Sequence, residues 1–220
     1  MRVVVLLGAP GAGKGTQAAV LRDRLGLPHV ATGDLFRAAT REGGPLGTEV
    51  RAHMDAGRLV PDELTIGVLR DRLARPDAAG GAILDGFPRT AAQAASLDEL
   101  LASRDGRVEV ALLIDVPPGD LVARLPGRWI CEAAGHVYHV DANPPRRPGV
   151  CDVDGSQLIQ RSDDRADTVR ARLDAQLGAL ADVVDHYRAR GVLRTVDGRR
   201  SIEEVSQALL SAVPGPAVRP

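Results

Sequence analysis

Residues 8–14 read Gly-Ala-Pro-Gly-Ala-Gly-Lys, and they stand between an almost wholly apolar run, Arg2–Leu7, and a segment with helical character, Lys14–Leu25. This juxtaposition constrains the fold more than any other feature of the chain. A run of Val and Leu without polar alternation suits a strand buried on both faces, and therefore a parallel sheet with helices on each side. A glycine turn from such a strand into a helix lets successive main-chain N–H groups face one anion, and the helix N-terminus adds its dipole. The spacing Gly8-x4-Gly13-Lys14 is that of a loop cradling nucleotide phosphates. The next position in that pattern carries Ser or Thr. Here it is Gly15, with the hydroxyl one place later at Thr16, a departure that weakens the case for direct Mg²⁺ ligation by Thr16. The chain has 28 basic residues, and Lys14 is its one lysine. A compact ammonium on a flexible stem can follow a phosphate as charge moves, whereas a guanidinium is held to its planar fork.

The bulk properties exclude several classes of protein. The 220 residues suffice for one α/β domain with inserts. A formal net charge of −1 provides no basic field for nucleic acid, and 2% aromatics provide no base-stacking platform. No apolar run approaches the roughly 20 residues needed to span a bilayer. The segment before Gly8 is too short for a secretory signal, and two cysteines make no disulfide framework. The expectation is a cytoplasmic protein with small-molecule partners, neither nucleic acid nor membrane.

Strand and helix patterns alternate along the chain. After the glycine loop, a helix over 14–25 is closed by Gly26. His29–Ala31 reads as a strand, and Thr32-Gly33-Asp34 as a cap for a helix beginning near Leu35. Gly43-Gly44-Pro45 breaks that helix, and another over 46–56 ends at Gly57. Asp62 is a candidate cap for the next. Residues 82–85, 108–116 and 192–196 are further strands. Val169, Leu173, Leu177, Leu180, Val184 and Tyr187 form one apolar stripe of a long helix. The stretch from 127 to about 162, rich in Gly, Pro and His and holding both cysteines, breaks the rhythm and reads as a small β insert with a strand at 137–140.

The loop Gly8–Gln17, including Gly15, resembles that of the adenylate kinase family, and the resemblance extends in order to about residue 212. Leu84-Asp85-Gly86-Phe87-Pro88-Arg89-Thr90 follows the third strand, where ligands of parallel sheets bind. A carboxylate there can hold water on Mg²⁺, and an arginine can fork a phosphate. The resemblance implies a P-loop three-layer α/β fold with a five-stranded parallel sheet and a small β-rich lid. It implies a core of 1–30, 61–126 and 165–212, a monophosphate-binding insert at 31–60, a lid at 127–164 and a flexible tail at 213–220. The activity implied is reversible transfer of the terminal phosphoryl group from Mg·ATP to AMP by a monomeric enzyme.

The family resemblance also distributes roles. Lys14, Asp85, Arg89, Arg128, Arg161 and Arg172 would serve catalysis, with Asp85 in the Mg²⁺ water shell. ATP would be bound by Gly11, Ala12, Gly13, Lys14, Gly15 and Thr16. Arg124 stacked on the donor base, Arg128, Val137, Tyr138 and the backbone of Arg200 would complete its site. AMP would meet Thr32, Arg37 and the segment Arg58-Leu59-Val60, then Gly86, Phe87, Pro88, Arg89 and Gln93, with Arg161 and Arg172 at its phosphate. Gln93 carries a primary amide, able to donate and accept at once and so to match an adenine edge.

Some related lids hold zinc through Cys-x2-Cys pairs. The matching positions here are Cys131, Ala134, Cys151 and Asp154. Ala134 cannot ligate, and a structural zinc site takes four protein ligands. His136 or His139 could substitute only at irregular spacing, so the sequence does not favour zinc. Two other readings remain open at this stage. One is a kinase for a different nucleoside monophosphate, such as UMP or CMP. The other is a nucleotide-switch protein, although a chain with one lysine lacks the Asn/Thr-Lys-x-Asp guanine motif.

Overall fold

The computed structural model describes residues 1–56, 58–160, 164 and 166–215, the side chains of 166–168, 171 and 172 excepted. Five strands, β1 (Arg2–Leu7), β2 (His29–Ala31), β3 (Gly81–Asp85), β4 (Arg107–Asp115) and β8 (Leu193–Asp197), form a parallel sheet in the order β2-β3-β1-β4-β8. The unbroken apolar run of β1 follows from its central place. Val4 and Leu6 enter the cluster on one face, and Val3, Val5 and Leu7 enter the cluster on the other.

Helices cover both faces. α1 (Lys14–Leu25), α6 (Pro118–Arg124) and α8 (Ile202–Ala212) send Ala18, Leu21, Leu121, Val205 and Leu209 into the first cluster. α4 (Asp62–Leu73) and α5 (Ala91–Ala102) send Leu69, Leu73, Leu97 and Leu101 into the second. The long α7 (Ala166–Ala189) serves both, with Val169 and Leu173 on one side of the sheet and Val183, Val184 and Tyr187 on the other. The stripe read from the sequence is therefore one continuous apolar face that meets two different clusters.

α2 (Thr32–Glu42) and α3 (Gly44–Asp55) pack together after β2 and shelter a small cluster of Phe36, Val50 and Val60. A second sheet, antiparallel and in the order β6-β5-β7, is made by β5 (Arg128–Cys131), β6 (Val137–His139) and β7 (Leu158–Ile159).

Three local expectations are corrected. Thr32-Gly33-Asp34 is the first turn of α2 and not its cap, because the Thr32 hydroxyl donates to Gly86 O at 2.9 Å, across to the neighbouring strand's loop. Asp62 does not cap α4 through its side chain. Pro61 holds the cap position, and the Asp62 carboxylate is bonded to α5 residues and their cap. The tail does not begin at 213: Val213 is buried in the first cluster, and Pro214 O accepts from Arg2 at 2.7 Å. Gly57, expected to end α3, lies outside the described residues, as do 216–220.

Candidate active site

All five parallel strands point their C-terminal ends to one edge. Leu6 pairs with Asp85, and Asp85 with Ala31, so the glycine loop, Asp85 and the start of α2 are neighbours by register. In the loop, Gly11 and Gly13 have φ of 85° and 94°, values that favour glycine. A Cβ on Gly8 would lie 2.9 Å from Ile114 O. The Lys14 ammonium donates to Gly8 O at 2.7 Å and Ala9 O at 3.1 Å, which holds it in the mouth of the loop. Gly15 and Thr16 open α1. A Cβ on Gly15 would be 3.6 Å from Val137 of β6 and 4.0 Å from an Asp85 oxygen. The Walker hydroxyl position is thus hemmed between the second sheet and a carboxylate.

Burial pushes the Asp85 carboxyl up, but the His29 ring and the charges of Lys14 and Arg89 outweigh it and hold it down at about 2. His29 Nε2 is buried and lies 3.4 Å from Asp85 Oδ2. His29 was not singled out by sequence. Its one local signal is its place in a strand that ends beside the carboxylate's own.

Two clefts meet at this edge. One is open to solvent and is lined by α2, the 58–60 segment, and α5, with Arg37, Arg58, Leu59, Val60, Gly86 and Gln93 in its walls. The other runs along the glycine loop past Gly8, Pro10 and Lys14. Arg89 and Gln176 line both. Arg89 Nε donates to Gly86 O at 2.8 Å, and its Nη1 to Gln176 Oε1 at 3.1 Å, so the guanidinium stands at the junction. Gln176, Met54 and Thr65 also line the first cleft and were missed by sequence. For Gln176 the available signal was slight: a polar residue beside the Leu173–Leu177–Leu180 stripe.

Gln93 is fully buried in the cleft wall. Its Oε1 accepts from Arg89 N at 2.8 Å, and its Nε2 donates to Asp62 Oδ1 at 2.7 Å. Thr32 is buried behind Gly86. Arg37 is paired with Asp34 and lies over Gly33. The Phe87 ring packs in the second core cluster, so a contact of this residue with AMP would be made by its main chain. The motif places Phe87 beside the ligand, yet an aromatic ring following a central strand is worth more in the core.

On the other flank, Arg124 Nη1 donates to Gly198 O at 3.0 Å, which joins the expected donor-base residues 124 and 198–200. Arg199 and Arg200 are exposed on that turn. Arg128 is engaged bidentately by Asp164, a fully buried carboxylate. Val137 faces Gly15, whereas the Tyr138 side chain turns the other way. Its ring is buried with Cys131, Cys151 and Leu158, and its hydroxyl accepts from Asp152 N at 2.8 Å and contacts Cys151 Sγ at 3.4 Å. The alternation of β6 sends adjacent side chains to opposite faces, so only one of the pair can face the loop. Arg161 and the side chain of Arg172 lie outside the described residues.

The second sheet gathers Cys131, His136, Cys151 and Asp154, whose ligand atoms all lie within 4.8 Å of one another. Ala134, at the position where a ligand was sought, contributes its N–H to Cys131 Sγ at 3.2 Å, while His136, two residues on, supplies the fourth side chain. His139 is elsewhere, its Nε2 on Arg124 O at 3.0 Å. Burial raises the Cys131 thiol, but hydrogen bonds with Ser156 and the Ala134 N–H outweigh it and hold it below its ordinary value.

No helix among the described residues is long and apolar enough to cross a membrane. A family profile described as adenylate kinase matches residues 6–192. The chain is similar to an adenylate kinase of Exiguobacterium sibiricum, 51% identical over 94% of this chain and 98% of that one. It is similar to adenylate kinases of Moorella thermoacetica, at 49% identity over 94% and 95%, and of Streptomyces griseus, at 46% over 96% of each chain.

Proposed function

We propose, on the premise that this chain belongs to the adenylate kinase family, a division of labour between its two clefts. The chain is an ATP:AMP phosphotransferase and interconverts ATP plus AMP with two ADP. In our reading the amides of the glycine loop and Lys14 grip the donor's phosphates, with the donor base between Arg124 and the Gly198–Arg200 turn. AMP occupies the other cleft, with Thr32, Arg37 and Arg58–Val60 around it and its base against Gln93. An AMP phosphate oxygen attacks the γ-phosphorus in line, and the bond from that phosphorus to the bridging oxygen breaks. The observation that carries this reading is the position of Arg89, which lines both clefts and so can neutralise charge on either side of the transferring group. Arg128, Arg161 and Arg172 would add to that charge when the lid, 127–164, and the 31–60 segment close and exclude water.

The donor set at Asp85 fits Mg²⁺ brought in with ATP. One ionised carboxylate beside a phosphate loop, without a cage of other oxygens, suits an ion that keeps its waters. The bound ion would neutralise charge on the phosphate oxygens. In the lid, we read Cys131, His136, Cys151 and Asp154 as zinc ligands. Tetrahedral bonds of about 2.0–2.3 Å place ligand atoms roughly 3.3–3.8 Å apart. The observed contacts are 3.0 Å for Cys131–Asp154, 3.3 Å for Cys151–His136 and 3.5 Å for His136–Asp154. A zinc there would be structural, closing the small sheet.

The test of the phosphate assignment is ADP formation with and without AMP in wild type and Lys14→Arg. The variant is expected to fold normally and lose about 10²–10³-fold in kcat, the scale of removing one well-placed charge stabiliser. Near-wild-type turnover would overturn the role given to the ammonium.

A further inference from the structure

We propose that Asp62 is a specificity-determining positioning residue: with the Arg89 main chain it locks the Gln93 amide in the one orientation that accepts adenine and rejects a 6-oxopurine. The inference rests on reading this cleft as the acceptor-base site. A glutamine amide has two ends of similar shape, and turning it over exchanges donor for acceptor. Here each end meets a group that tolerates only one of them. The Arg89 N–H, 2.8 Å from Oε1, can only donate, so an oxygen must face it. The Asp62 carboxylate, 2.7 Å from Nε2, can only accept, so a nitrogen must face it.

The carboxylate is itself aimed. Its second oxygen accepts from Thr90 Oγ1 at 2.8 Å, and Thr90 in turn caps α5 by accepting from Gln93 N at 3.1 Å. α4 and α5 thus meet N-terminus to N-terminus over one carboxylate, where helix dipoles favour negative charge. Turning the amide over would set N–H against N–H and oxygen against carboxylate in a wall where Gln93 is only 1% exposed. Neither misplaced group could then find water.

Each amide atom still has one bonding direction beyond these contacts: a lone pair on Oε1 and an N–H on Nε2. Adenine offers the matching pair, an exocyclic amine that donates and a ring nitrogen that accepts. Hypoxanthine, with a 6-oxo group and N1–H, offers the reverse along the same edge. Inosine monophosphate therefore differs from AMP at the atoms the locked amide reads, without the bulk of the guanine 2-amino group.

The test compares AMP and IMP by kcat/KM and by equilibrium binding, in wild type, Asp62→Asn, Asp62→Glu and Gln93→Leu. An asparagine can donate as well as accept, so the lock loses one side. Asp62→Asn is expected to lower the AMP:IMP preference about tenfold, through AMP affinity more than kcat, with KM for ATP unchanged. Asp62→Glu, which keeps the carboxylate, should restore most of the preference. Thr90→Val, which removes the bond that aims the carboxylate, should lower it about threefold and serves if Asp62→Asn does not fold. A folded Asp62→Asn or Thr90→Val enzyme with the wild-type preference, while Gln93→Leu has lost it, overturns the lock and leaves the base-reading assignment standing. A Gln93→Leu enzyme that keeps the preference overturns that assignment, and the lock with it.

Discussion

The parallel sheet and the small antiparallel sheet are held by different means. Both faces of the parallel sheet carry dense aliphatic clusters, with Leu6, Ile83 and Leu112 on one side and Val5, Leu84 and Leu97 on the other, all at most 1% exposed. Around β5–β7 the buried apolar cluster among the described residues is Cys131, Tyr138, Cys151 and Leu158. A body of this size can be stabilised by burying apolar surface. An insert of a few dozen residues cannot, and such modules depend on metals or crosslinks instead. If the proposed zinc site at Cys131, His136, Cys151 and Asp154 is occupied, it would do for the small sheet what leucine does for the core.

The comparison can be broken most directly by truncation. Leu112→Ala is expected to cost about 2–5 kcal/mol of global stability in urea unfolding. Leu158→Ala should leave the global midpoint nearly unchanged and instead raise hydrogen exchange across 128–159. Equal global losses would mean that the two sheets are one cooperative unit. The next largest effect is on the metal. His136→Ala should lower zinc affinity by more than about a hundredfold, since losing an outer partner alone costs 10–100-fold. Elemental analysis of wild type should return one zinc per chain. Zinc-free protein with a fully protected lid would show that the thiol, imidazole and carboxylate hold the small sheet by hydrogen bonds alone.

Acid sharpens the contrast at smaller magnitude. The Asp85 carboxyl is held at about 2 in the folded protein against an ordinary 3.8. Its contribution, about 2 kcal/mol, is therefore fully present above pH 3.8 and lost as pH falls through about 2. The stability difference between wild type and Asp85→Asn should shrink over that interval and stay constant above it. Protons would compete with zinc for the lid ligands, so loss of the metal should follow its own pH course, apart from that of the sheet edge. Simultaneous loss would refute a separately held lid.

What could be read in the chain was what is contiguous. β1 and its loop, β3 running into Asp85–Arg89, and the stripe of α7 each carry their pattern within a few turns of sequence, and the folded chain has them where the pattern puts them. What escaped was settled across the fold. Thr32 and Asp62 are short polar residues at helix starts and read locally as caps, but their oxygens are spent on Gly86, Thr90 and Gln93, tens of residues away. β5 and the two-residue β7 are too short to show a period. Sequence offered His136 or His139 as a substitute for a ligand at 134, and the chain's path chooses His136. Phe87 and Tyr138 show a further limit: belonging to a binding motif does not say which way a side chain turns.

Lys14, bonded to the carbonyls of its own loop, has a practical consequence for anyone handling this protein. Among the side chains of the sequence, reagents that acylate amines find one lysine, and it is this one. Dye coupling, biotinylation or attachment to a resin through side-chain amines would act at the glycine loop instead of decorating the surface. The degree of labelling with and without nucleotide would then read out occupancy of the loop.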